Sequence, residues 1–79
     1  MIYFFRRGTQ ARSCEARLNP DGPGYQLVIT ASGASVTEAF AVLPDLLARE
    51  HEVLQAWRLE GWREVGPPAG TPDDTWPGP

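Results

Sequence analysis

The stretch from residue 43 to residue 60, LPDLLAREHEVLQAWRLE, constrains the fold of this 79-residue chain more than any other part. Its apolar residues recur at intervals of three and four, which is the spacing of an amphipathic helix with one apolar stripe. Such a helix gains most of its stability by covering that stripe, so the remaining chain must supply a surface for it. The stripe consists of Leu43, Leu46, Leu47, Val53, Leu54 and Trp57.

Both ends of the predicted helix carry local signals. Pro44 suits the first turn because its missing N–H would have no partner there, and Asp45 places a negative charge near the positive end of the helix dipole. Gly61 predicts a left-handed residue just beyond the helix, which would bring Trp62 back against Trp57. We therefore interpret the two tryptophans as a structural clamp, with a ligand platform as the alternative.

Glu50 interrupts the apolar stripe, because leucines and a valine lie three and four residues away on both sides. A buried carboxylate must be paired, hydrogen-bonded or protonated. We expect Glu50 to form a structural ion pair with an arginine of the sheet, and Arg12 is the first candidate. Exposure at a helix end is one alternative. A general base in a cleft is another, although no nucleophile or partner acid accompanies it.

Four segments before the helix have the composition of β-strands and are joined by short connections. Gly8-Thr9 has the length of a hairpin turn, and NPDGPG at 19–24 and Ser32-Gly33 are turn sequences. Short connections predict an antiparallel meander, so we expect an α+β fold with four antiparallel strands and one C-terminal helix across a sheet face. The predicted strands are residues 2–7, 10–18, 25–31 and 35–41.

Strand alternation divides the predicted sheet into two faces. A two-residue turn after the first strand places Tyr3 opposite Cys14 and Phe5 opposite Arg12 on one face, which we expect to meet the helix. Cys14 is then a small buried residue rather than a reactive thiol, since no basic neighbour is predicted to lower its pKa. The apolar members of this face are Tyr3, Phe5, Cys14, Ala16, Leu18, Leu27, Ile29 and Phe40.

The opposite face combines apolar side chains with arginines, and no predicted element covers it. Exposed apolar patches of this kind usually mark an interface. A second subunit could pack on this face or join a strand edge. Alternatively, Phe4 stacks on bases while Arg6 and Arg17 meet the phosphates of a single-stranded nucleic acid, with Arg12 of the other face as a further candidate. The apolar members of the face are Ile2, Phe4 and Val28, with Val36 as a further candidate.

Composition limits the classes of function. All seven basic residues are arginines and the net charge is −3, whereas a sequence-blind nucleic-acid binder usually has a basic excess. One cysteine excludes an internal disulfide and fits a reducing cytoplasm. One histidine, His51, and one cysteine do not form a metal site, and no cofactor motif is present. No apolar run is long enough to cross a membrane, so we expect no membrane partner.

The chain is predicted to contain one domain at residues 1–66 and a flexible tail at residues 67–79. The tail sequence, PPAGTPDDTWPGP, has five prolines and too few apolar residues to fold alone. Trp76 is an exception there, either incidental or an anchor to a partner. A domain of this size has a small core, and assembly into a homodimer would enlarge it.

The predicted order of elements resembles the single-stranded-DNA-binding fold of the Whirly proteins and of the positive-cofactor transcriptional coactivators. The likeness is one of topology and spans residues 2–64. It implies a homodimer formed through the helices and nucleic-acid binding on the sheet. From the residues themselves we expect a small non-enzymatic interaction module that forms a homodimer or binds another protein. A single-stranded nucleic-acid-binding protein is the alternative.

Overall fold

The structure is a computed structural model that describes residues 1–66, so the predicted tail at 67–79 lies outside the described residues. It contains five strands and one helix. The bounds are β1 Ile2–Arg7, β2 Gln10–Leu18, β3 Tyr25–Ala31, β4 Ala34–Phe40, α1 Leu43–Leu59 and β5 Arg63–Val65.

The strands form one antiparallel sheet in the order β4-β3-β2-β1-β5, and α1 packs on one face of it. The predicted α+β fold, with a four-stranded meander followed by a helix, is confirmed. The register is confirmed as well, because Tyr3 pairs with Cys14 and Phe5 pairs with Arg12. β5 is an addition that the sequence pattern did not predict. It returns beside β1 and pairs Val65 with Phe4.

The C-terminal end of α1 has the hydrogen bonds of a Schellman motif. Gly61 has a φ of 92°, its N–H donates to the carbonyl of Arg58 at 3.1 Å, and the N–H of Trp62 donates to the carbonyl of Trp57 at 2.9 Å. The ring centroids of Trp57 and Trp62 are 6.4 Å apart, so the predicted clamp is present. The same turn directs the chain back along β1, which explains why β5 follows within two residues.

The core lies between α1 and the sheet face that carries Phe5. The ring of Trp57 meets the ring of Phe5 edge-on, with centroids 5.3 Å apart. Two side chains differ from the prediction. Leu18 lies on the expected helix side, since it pairs with Tyr25, but it is 72% exposed at the end of β2. Val36 lies on the helix side of the sheet, since it pairs with Ile29. The buried apolar residues are Phe5, Cys14, Leu27, Leu46, Val53, Leu54, Trp57 and Trp62.

Candidate functional site

The sheet face opposite α1, called the outer face below, has no covering element within residues 1–66. A row of side chains crosses all five strands there, because Phe4 pairs with Val65 on one side and with Ser13 on the other. The row continues through Thr30 to Ser35. Ile2 and Val28 occupy the next row, so the face mixes apolar side chains with hydroxyls, as the alternation of the sequence predicts.

The outer face also carries three arginines and one acid, Glu15. Arg6 lies directly opposite Arg63, and neither guanidinium makes a hydrogen bond or an ion pair within the described part of the chain. Like charges in such a position repel each other, so an anion between them would be stabilising. Arg17 differs, because its Nε donates to the Oε1 of Gln26 at 3.0 Å. Arg63 was missed from the sequence, where only a strand assignment after Gly61 would have revealed it.

The predicted ion pair between Arg12 and Glu50 is wrong. Arg12 stacks instead on the two tryptophans, with its guanidinium carbon 4.2 Å from the ring centroid of Trp62 and 5.5 Å from that of Trp57. Its ion-pair partner is Glu60, at 3.6 Å. Both predicted partners do face the core. However, Glu50 and Glu60 are ten residues apart, which corresponds to about 15 Å along a helix. Strand alternation predicts which face Arg12 lies on, but not which turn of the helix lies beside it.

Glu50 is a buried carboxylate without an ion-pair partner in the described part of the chain. It is 6% exposed, and its Oε2 has no hydrogen-bond donor among residues 1–66. Burial raises its pKa above the ordinary value of 4.5, because the charged form loses its hydration. Its charge also raises the pKa values of Tyr3 and Cys14, after the larger effect of burial on each. No acid–base partner in the described region gives Glu50 the geometry of a catalytic base.

The buried thiol of Cys14 is expected to be unreactive. Burial raises the pKa of its thiol to about 11, with a smaller contribution from Glu50, so the thiolate is scarce near neutral pH. Within the described residues, no group of three or more histidine, cysteine or acidic side chains could hold a metal ion. No helix of these residues is long and apolar enough to span a bilayer.

Among residues 1–66, β4 forms one edge of the sheet and pairs with β3 alone. Five of its seven side chains are exposed, including Val36 at 60%. Its one ionised residue, Glu38, receives hydrogen bonds from two nitrogens of Arg49 at 3.0 and 3.2 Å. In the described part of the chain, no element therefore covers the seven-residue backbone edge of β4, and Arg49 of α1 offsets the charge of Glu38. The other edge, β5, has three residues, of which Arg63 and Glu64 are charged.

Two depressions border the sheet at opposite ends. One is an apolar groove of about 320 Å³ near the start of α1, bordered by the exposed side chains of Met1, Leu18, Leu43 and Leu47. The other is a polar cleft of about 490 Å³ between the β1–β2 turn and the β3–β4 turn. This hairpin cleft is lined by Arg7, Thr9, Gln10, Arg12, Ser32 and Gly33, with Trp62 at its base.

Comparisons with protein-family models, with curated proteins and with solved structures gave no significant match. The topological resemblance to the Whirly proteins and the transcriptional coactivators therefore stays a prediction.

Proposed function

We propose that this protein is a small non-enzymatic interaction module that forms a homodimer by antiparallel pairing of β4 with β4 of a second copy. The observation that carries the proposal is the open backbone edge of β4. An edge strand presents a row of unpaired N–H and C=O groups, which another strand can satisfy. Pairing identical strands about a two-fold axis gives a closed, self-complementary interface.

The sequence of β4 has few of the devices that keep an edge strand from pairing. It contains neither lysine nor proline, and its one acid, Glu38, lies on the helix side of the sheet and is bound by Arg49. The strand runs in regular register with all seven residues of β3, so no bulge interrupts it. β5 has the opposite character, since it is short and charged. This difference between the two edges supports β4 as the surface for self-association.

The state of the single cysteine bears on where the protein is located in the cell. The single cysteine is buried and has a raised pKa, so it takes part in no disulfide of the domain. This supports a place in the reducing cytoplasm. No residue of β4 lines the apolar groove near Leu18, and edge pairing leaves sheet faces free, so the groove and the outer face can serve a protein partner of such a dimer.

The assembly can be tested by light scattering after size-exclusion chromatography, with one Val→Lys change at each edge. We expect wild-type protein to elute with twice the monomer mass. Val36→Lys places a charge beside the proposed seam and should give a monomer, because edge lysines block strand pairing. Val65→Lys, the matched change at the β5 edge and outer face, should remain dimeric.

A third variant distinguishes the dimer that the Whirly resemblance implies. That dimer forms through the helices. Leu59 is the most exposed large apolar residue of α1, at 89%. Leu59→Lys should leave the mass unchanged if β4 is the seam. A monomeric wild-type protein at high concentration, or a monomer produced by Leu59→Lys or Val65→Lys but not by Val36→Lys, would contradict the proposal.

Binding of single-stranded nucleic acid is the second candidate function, and the facing pair Arg6 and Arg63 beside Phe4 favours it. Two guanidiniums without an acid offer donors to phosphate, and Phe4 offers a ring for a base. The arrangement supports a path for the nucleic acid across the outer face, from Arg6 and Arg63 to Arg17.

Fluorescence anisotropy with a labelled oligonucleotide at about 50 mM salt tests this candidate, since low salt favours phosphate contacts. We expect Arg6→Gln and Arg63→Gln each to weaken binding and to reduce the salt slope by about 0.7. The matched control is Arg58→Gln, which removes the same charge on the helix side, where Arg58 pairs with Glu64 at 3.2 Å. Equal effects of all three changes, or no binding, would exclude an outer-face site.

A further inference from the structure

We propose that the hairpin cleft is a phosphate-binding site. It opens where β2 extends past its last pair with β3, Arg12 with Ala31, and continues with β1 alone as far as Gln10. The β3–β4 hairpin ends at Ser32 and Gly33, whose φ values of 53° and 77° fit a type I′ turn. The β1–β2 hairpin extends farther, and the cleft lies beside this projecting end.

The side chains of the cleft are almost all hydrogen-bond donors. Arg7 and Arg12 can only donate, and Thr9, Ser32 and Gln10 can donate as well. No carboxylate lines the cleft. In a chain with three more acids than bases, this concentration of positive charge is a local feature rather than a consequence of composition.

The two guanidiniums are held in place before any ligand arrives. Arg7 lies 4.9 Å and Arg12 4.2 Å from the ring centroid of Trp62, which is itself 3% exposed. Arg7 also donates to the carbonyl of Glu60 at 3.0 Å. Stacking and this hydrogen bond restrict the arginine side chains, so less conformational entropy is lost on binding.

A phosphate group fits this arrangement better than a single carboxylate. Its terminal oxygens accept from several directions, so it can bridge guanidiniums that come from two strands and still take hydroxyl donors. The volume of the cleft, about 490 Å³, lies within the range of small-molecule pockets. Trp62 is covered by the arginines, so its ring is not a stacking surface for a base.

The carboxylate of Glu60 competes for the same site, since it lies 3.6 Å from Arg12 and is about half exposed. A bound phosphate would replace it as the partner of that guanidinium. Neutralising Glu60 should therefore strengthen binding, whereas a new acid inside the cleft should weaken it. These opposite signs separate a phosphate site from a general effect of net charge.

The test is a nuclear magnetic resonance titration of the full chain with inorganic pyrophosphate at constant ionic strength. We expect saturable shifts of the amides of Thr9, Gln10, Ser32 and Gly33. Gln10→Glu should weaken binding about tenfold or more, because the new carboxylate faces Arg7 and repels the anion. Gln55→Glu adds the same charge on the exposed side of α1 and should leave the affinity within about twofold, as expected for a screened, distant charge.

Glu60→Gln should raise the affinity for pyrophosphate severalfold. The proposal is overturned if pyrophosphate causes no saturable shift, or if Gln10→Glu and Gln55→Glu weaken binding equally. Competition with an oligothymidylate distinguishes two sources of the phosphate group. Pyrophosphate binding to the hairpin cleft does not require the proposed dimer, so the two proposals can fail separately. Displacement of pyrophosphate with added shifts at Phe4 and Ser13 assigns it to a strand crossing the outer face. Failure to displace it assigns a free phosphorylated molecule.

Discussion

Trp62→Ala is expected to lower the free energy of unfolding by about 3–5 kcal/mol, the usual cost of removing a large buried aromatic side chain. Trp62 packs against Trp57 at the end of α1 and supports the guanidiniums of Arg7 and Arg12. Small domains have about 5–15 kcal/mol of stability in total, so this single change should leave the fold marginal. Urea denaturation followed by far-ultraviolet circular dichroism measures the loss.

Trp62→Phe is the matched control for that change. The indole Nε1 of Trp62 is buried without a hydrogen-bond acceptor in the described part of the chain, so phenylalanine keeps an aromatic ring and removes an unpaired N–H. We expect a loss of about 1–2 kcal/mol, because one aromatic ring is kept and only the remainder of the indole leaves a cavity. If Trp62→Ala costs as little as Trp62→Phe, the tryptophan clamp does not hold the helix end in place.

Glu50→Gln is expected to stabilise the protein at pH 7 by about 1–2 kcal/mol, because it removes the cost of a buried, unpaired charge. Burial raises the pKa of Glu50 in the folded state above its unfolded value. The folded protein therefore holds this proton more tightly than the unfolded chain does. Stability from Glu50 is fully present below the unfolded pKa of about 4.5 and is lost as the pH rises through the folded pKa.

Urea denaturation of both proteins at several pH values tests this prediction. The two free energies of unfolding should converge in acid, where Glu50 is protonated in both states, and separate as the pH rises above about 4.5. Glu52→Gln is the control, since Glu52 is exposed and its ion pair with Arg49 contributes no more than about 1 kcal/mol. A loss of stability in Glu50→Gln at pH 7 would show that the carboxylate has a partner after all.

The helix and the meander could be predicted because several local signals agree. The stripe ending at Trp57, the glycine at position 61 and the turn at Ser32-Gly33 each specify a backbone conformation by themselves. Strand alternation then fixed the register of β1 and β2, which the pairing of Tyr3 with Cys14 confirms. Alternation also identified which residues of these strands turn away from the helix.

The remaining features depend on distances between elements, which a residue pattern does not contain. β5 has three residues, too few for a period, and it forms only because the turn at Gly61 returns the chain to β1. The partner of Arg12 depends on which turn of α1 lies beside this part of β2. For this reason Glu60, and not Glu50, lies beside it.

The candidate surfaces were partly visible in the sequence. Phe4, Arg6 and Arg17 lie on the uncovered face as the alternation predicts. The hairpin cleft could not be predicted, because it joins two turns that are more than twenty residues apart in the chain. The predicted four-stranded meander has two edge strands, β1 and β4. The sequence pattern does not show which edge stays open, because β5, which pairs with β1, was not predicted.

Hydrogen–deuterium exchange of the β4 amides at high and low protein concentration tests the central claim most directly. Strand pairing between two copies protects the outward N–H groups of β4, and dilution releases them. We expect amides between Ala34 and Phe40 to exchange faster on dilution in wild-type protein, while β5 amides stay unchanged. In Val36→Lys the β4 amides should exchange rapidly at every concentration. Exchange of wild-type β4 that does not depend on concentration would contradict edge-to-edge pairing.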